Sequence, residues 1–121
     1  MQPRVRGVGG ADAVVVVTRV IDGDTLVLAG GDRVRILNID TAEMPPRSRC
    51  AAEEQLALAA KDRLAELTGR AAKVTLTKAG RERDDYGRLL RRVEVDGRDV
   101  GDLLVAEGLA QRWGGRKARW C

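Results

Sequence analysis

Histidine is absent from the sequence, and that absence excludes more than most of the residues present suggest. Histidine-based acid–base pairs, Ser-His-Asp triads and histidine-ligated zinc are all removed. Two cysteines, Cys50 and Cys121, are too few for a four-ligand zinc site. Phenylalanine is missing as well. Tyr86, Trp113 and Trp120 are the whole aromatic complement, so the chain has no broad platform for stacking bases. The longest purely apolar run, Ala13 to Val17, is far too short for a spanning helix. It does not read as a signal peptide either, because Thr18 and Arg19 follow it without a small-residue cleavage site. Any chemistry must rest on carboxylates, arginines, hydroxyls and, where one is bound, a hard metal ion.

What is present suits one compact domain. The 121 residues are 44% hydrophobic and 33% charged, a soluble globular balance. Residues 1–12, with Gly7, Gly9 and Gly10, read as a flexible leader to a domain over 13–121. The net charge of +4 makes polyanions plausible partners. Between residues 108 and 121 stand Arg112, Arg116, Lys117 and Arg119 with no acid, so this end accounts for the whole excess. Such a tail either guides a phosphate backbone or is solvated surface.

Val14 to Ile21 is a β-branched run suited to a strand, and Asp22-Gly23 is a turn signal before Thr25 to Leu28. Gly30-Gly31-Asp32 marks a second turn, after which Arg33 to Ile39 alternates as a third strand. The period then changes. Leu56, Ala60, Leu64 and Leu67 fall on one face of a helix starting near Ala51, with Glu53 and Glu54 at its positive end and Gly69 at its exit. Lys73 to Lys78 and Leu89 to Val95 read as strands flanking a charged loop, Gly80 to Gly87. Val100, Leu103 and Leu104 predict a short second helix closed by Gly108. The expected class is mainly β with helices: a five-stranded OB-fold barrel, a helix between strands three and four, and a short C-terminal helix.

Asp22, Asp24, Asp40 and Glu43 stand at strand ends, where neighbouring strands bring carboxylates together at one end of a barrel. An oxygen-rich site without nitrogen or sulfur suits Ca²⁺, Mg²⁺ or Mn²⁺. Taken alone, Asp22-Gly23-Asp24-Thr25 is a hairpin turn and Asp40-Thr41 a strand end. Arg35 lies on the face shared by Leu37 and Ile39, which makes an inward or rim-facing guanidinium as reasonable as a surface charge. Asp85-Tyr86-Gly87-Arg88 is a tight turn able to aim Arg88 across the barrel mouth. Two guanidinium forks and a metal match the negative charge that builds on a phosphodiester in hydrolysis.

Five segments occur in order: Val20-Ile21-Asp22-Gly23-Asp24-Thr25, Arg33-Val34-Arg35-Ile36, Ile39-Asp40-Thr41-Ala42-Glu43, Asp85-Tyr86-Gly87-Arg88 and Val105-Ala106-Glu107-Gly108-Leu109-Ala110. Together they resemble the thermonuclease, or staphylococcal nuclease-like, family, from about Val14 to Trp113. The resemblance implies a calcium-dependent nuclease acting on DNA and RNA with little sequence preference. It implies Asp24 and Asp40 as carboxylate ligands, with Thr41 binding through its carbonyl. Glu43 would position or deprotonate the attacking water, and Arg35 and Arg88 would hold the phosphate and its transition state. Tyr86 would seat the nucleotide. Trp113 is assigned to a base or, equally, to packing.

Two departures stand out: Ala42 where the family usually has proline, and Asp85 at a position often basic. The family's final helix is also absent. An even cysteine count permits a Cys50–Cys121 bond without requiring one, and related exported sequences favour it. A secreted or periplasmic protein follows as the expectation, with the cytoplasm left open, and a monomer without an obligate protein partner. The main rival is a noncatalytic OB-fold nucleic-acid binding module. A protein-interaction domain accounts for the acids but gives Arg35 and Arg88 no joint purpose.

Overall fold

A computed structural model describes residues 13–121; the leader assigned to 1–12 lies outside them. The first strand expected from the sequence is divided. β1 (Ala13–Val15) pairs antiparallel with β6 (Val74–Arg83), whereas β2 (Val17–Asp22) pairs with β3 (Thr25–Leu28). Val16 is the switch, and its carbonyl accepts from the Ala29 N–H. Neither glycine nor proline marks this point, so the β-branched run reads as continuous.

The sheet runs β1-β6-β7-β4-β3-β2, with β4 (Arg33–Ile36) parallel to β7 (Leu89–Val95). Because β1 and β2 are consecutive halves of one bent segment, this order returns on itself as a curled, OB-fold-like barrel. The molecule is mainly β with two helices: α1 (Ala51–Arg70) follows β5 (Ile39–Asp40) and α2 (Val100–Ala106) lies near the C-terminus. β5 pairs with β9 (Gln111–Arg112), and β8 (Arg98–Asp99) adds to β7. Leu26, Val34, Ile36, Ile39, Leu64, Val93, Val100 and Leu104 fill the buried interior.

Three further expectations are corrected. The strand expected over Arg33 to Ile39 stops at Ile36, and Asn38 turns the chain at φ 70° before β5. Arg35 therefore does not share a strand with Leu37 and Ile39. β6 continues to Arg83, so much of the expected loop from Gly80 is strand, and the turn itself spans 84–88. Helix α1 passes Gly69 and ends at Arg70; its fully buried face is Glu53, Ala57, Ala60 and Leu64, with Leu56 and Leu67 only partly covered. Small alanines occupy that face because a turn of the barrel presses on it. A Cβ built on Gly23 would lie 2.7 Å from the Ala60 Cβ and 3.1 Å from Thr41. Gly23 is thus required by close approach rather than by backbone angle.

Candidate active site

Strand register gathers the expected residues at one end of the barrel. Thr25 is opposite Arg35 on β3 and β4, and Arg35 is opposite Leu90 on β7, two residues past Arg88. A cleft of about 380 Å³ is bordered there by Asp24, Arg35, Thr41, Glu43, Tyr86, Arg88 and Trp113. Asp40 lies behind it, 1% exposed. A second groove of about 670 Å³ shares Glu43, Arg47, Tyr86, Arg88 and Lys117 with the cleft and adds Arg33 and Arg49.

The acidic floor is buried and its oxygens are engaged. Asp24 Oδ1 accepts from the Thr25 hydroxyl at 2.9 Å and Oδ2 from the Thr41 hydroxyl at 3.2 Å. Arg35 Nη2 lies 3.5 Å from the same Oδ2. The Arg35 guanidinium also donates to the carbonyls of Ile36 and Ile39, which fixes it across the bend after β4. Asp22 accepts from the Asp24 N–H. Burial first, and then the neighbouring Asp24 charge, push the Asp22 carboxyl up to about 6. Asp40 holds the Ala118 N–H at 2.8 Å and the Lys117 ammonium at 2.5 Å.

Among the described residues, no three His, Cys, Asp or Glu side chains are gathered closely enough to hold an ion by themselves. The set expected from the sequence, two carboxylates with the Thr41 carbonyl, calls for no third acid. Its donors are all oxygen, and buried Asp40 already neutralises a positive group, so the residues fit a hard cation.

Glu43 and Arg88 are presented by two loops. The Glu43 N–H donates to Glu53 Oε2 at 3.0 Å and the Arg49 N–H to Glu53 Oε1 at 2.9 Å. Glu53 is 0% exposed; the Glu43 N–H bond, outweighing burial, holds its carboxyl below the ordinary value. Arg88 is held by Asp84, which accepts from the Arg88 and Tyr86 N–H groups and from Arg88 Nε at 2.7 Å. Burial opposes ionisation of Asp84, but these bonds keep its carboxyl below the ordinary value. The Arg88 guanidinium lies 5.5 Å from the Tyr86 ring centre and 3.4 Å from the Thr25 hydroxyl. Tyr86 is 74% exposed and Trp113 45%. Both are free to meet a ligand.

Sequence reading missed Glu53, Asp84 and Lys117. Asp84 has a local signal, an acid two residues before Tyr86 and four before Arg88. Glu53 and Lys117 act across the fold; the sequence marks one as a helix-start acid and the other as part of a basic tail, without signalling their partners. Asp85, at the position often basic in the resembling family, is exposed and 3.5 Å from Arg81. Ala42 is buried, and Glu53 braces the loop that proline would otherwise stiffen. Cys50 and Cys121 form a disulfide with Cα atoms 6.1 Å apart.

A family model described as staphylococcal nuclease homologue matches residues 33–118. That span holds Arg35, Asp40, Thr41, Glu43, Tyr86, Arg88 and Trp113 but begins after Asp24. Two Bacillus subtilis (strain 168) proteins, endonuclease YncB and the SPbeta prophage-derived endonuclease YokF, are each 39% identical over 100 residues, 80% of this chain. The chain spans 46% of the first and 33% of the second.

Proposed function

The chain belongs to the staphylococcal nuclease homologue family, and from that premise we propose that it is a calcium-dependent nuclease hydrolysing phosphodiester bonds in DNA and RNA with little sequence specificity. The observation that carries the proposal is the cleft in which Arg35, Arg88 and Glu43 meet above buried Asp24. Two fixed guanidinium groups and a carboxylate line the same cleft, and a groove bordered by further cations shares part of its lining.

In this reading Arg35 and Arg88 grip the phosphate, and their bonds strengthen as charge accumulates on the phosphoryl oxygens. Arg35 is pre-set by two carbonyls and Arg88 by Asp84, so little reorganisation is needed. Glu43 is the group that accepts the proton of the attacking water, there being no histidine for that task. Asp24, Asp40 and the Thr41 carbonyl would hold Ca²⁺, with Mg²⁺ or Mn²⁺ as substitutes; when bound, the ion supplies Lewis acidity and a template for the phosphate. Tyr86 and Trp113 border the cleft with aromatic faces on which any base can stack, which supports tolerance of sequence. The disulfide supports an oxidising compartment, secreted or periplasmic. No described helix is long and apolar enough to cross a membrane. A monomer is the simplest assembly.

Metal-stripped protein incubated with DNA and with RNA, in Ca²⁺ and in excess chelator, tests the proposal. Cleavage of both polymers in Ca²⁺ alone is expected. Undiminished cleavage in chelator overturns the metal dependence, and binding without cleavage restores the noncatalytic OB-fold module.

A further inference from the structure

Lys117 takes no part in the roles just given, yet it sits on the same carboxylates. Its ammonium donates to Asp40 Oδ1 at 2.5 Å and pairs with Glu43 Oε2. The next residue completes the contact, since the Ala118 N–H donates to Asp40 Oδ2. Both Asp40 oxygens and one of Glu43 are thereby occupied by the C-terminal tail. The tail is fastened beside this point. Arg49 Nη2 donates to the Ala118 carbonyl at 3.2 Å, and Cys121 is bonded to Cys50 at the end of the loop that carries Glu43. A side chain tethered so closely meets its partners at high effective concentration.

We propose that Lys117 is a tethered internal cation that competes with the divalent ion for Asp40 and so sets that ion's affinity, while its second contact, to Glu43, helps hold it there. The proposal rests on the calcium reading above. An ammonium seated on Asp40 Oδ1 takes one of its lone pairs and repels a cation approaching the other, so the ion binds chiefly the fraction of molecules in which Lys117 has swung away. The lysine side chain is 45% exposed and borders the basic groove, so it has room to leave. The disulfide limits how far it goes.

Calorimetric titration of Ca²⁺ into the metal-stripped, disulfide-bonded chain, with no nucleic acid present, reads binding rather than cleavage. Lys117→Met should bind Ca²⁺ about tenfold tighter than the parent, the gain for an ammonium seated about nine-tenths of the time. Arg116→Met removes the same charge from an exposed neighbour and should change affinity by less than about twofold, because exposed charges are screened. Equal or weaker binding by Lys117→Met overturns the proposal, as does an equal gain in Arg116→Met. Should Met disturb folding, Lys117→Gln provides the same comparison. Cys121→Ser should tighten binding in the parent and not in Lys117→Met; no change in the parent, or the same gain in both, overturns the tether. If the parent binds Ca²⁺ and Lys117→Met matches it, the calcium reading stands and only the competition fails. If no form binds Ca²⁺, both fail.

Discussion

Two loops deliver the groups assigned to chemistry, and they are braced in opposite ways. The loop carrying Glu43 hangs from Glu53, a wholly buried carboxylate on α1, and its far end is fixed by the disulfide at Cys50. The turn carrying Arg88 is held by Asp84, four residues away and at its own entrance. Each brace is a carboxylate accepting two backbone N–H groups. The difference lies in reach: one loop depends on the assembled fold, the other largely on itself. Stability and catalysis should therefore be linked in the first loop and separable in the second.

Removing the covalent end of the first brace should have the largest effect. Cys121→Ser opens a loop closed across 71 residues and should lower unfolding free energy by about 4 kcal/mol in denaturant titration. Next, Glu53→Ala leaves two part-buried N–H groups without an acceptor and should cost about 3 kcal/mol, with cleavage reduced as well. Because Glu53 is held below its ordinary 4.5, its contribution is complete above that pH and lost as pH falls through the lower folded value. Unfolding curves of the parent should weaken below pH 4.5 more steeply than those of Glu53→Gln. A parallel pH profile in the two proteins removes Glu53 from its role.

At the loop tips the effect should pass to rate alone. Arg88→Ala and Glu43→Gln should each lower turnover by about a hundredfold, equivalent to about 2.7 kcal/mol, with unchanged circular dichroism. Glu43→Gln should also keep substrate affinity. Parental turnover by either variant at saturating Ca²⁺ refutes the assigned roles. The smallest effect belongs to the second brace. Asp84→Ala should cost about 1 kcal/mol of stability and about tenfold in rate, through a less constrained Arg88. A stability loss matching that of Glu53→Ala would erase the contrast between the loops.

Legibility in the sequence follows the same division. Alternating and helical periods, the turn glycines and the acid–arginine segments are local signals, and they give the barrel class, both helices and the gathering of Asp24, Arg35, Glu43 and Arg88. Features made by distant segments stay hidden. The switch at Val16 depends on which strands lie either side of it, not on any residue there. The end of β4 at Ile36 depends on Asn38 entering a left-handed turn within an alternating run. The charge count identifies the C-terminal bases as an excess, but only the folded tail places Lys117 against Asp40. Glu53 looks like an ordinary acid in a first helical turn, and its burial comes from the loop folded over it.

The contact between Gly23 and Ala60 makes the long helix a gauge for the acidic floor. Lacking any group in the cleft, α1 nevertheless sets how deep the Asp22–Asp24 turn can sit, because the turn advances until it meets an alanine methyl. A larger side chain at either position would lift the carboxylates toward solvent, and a smaller one at position 60 would give the turn slack. The helix surface is thus a mechanical reference, cut to a tolerance of one methyl group, for a site whose chemistry belongs entirely to other parts of the chain.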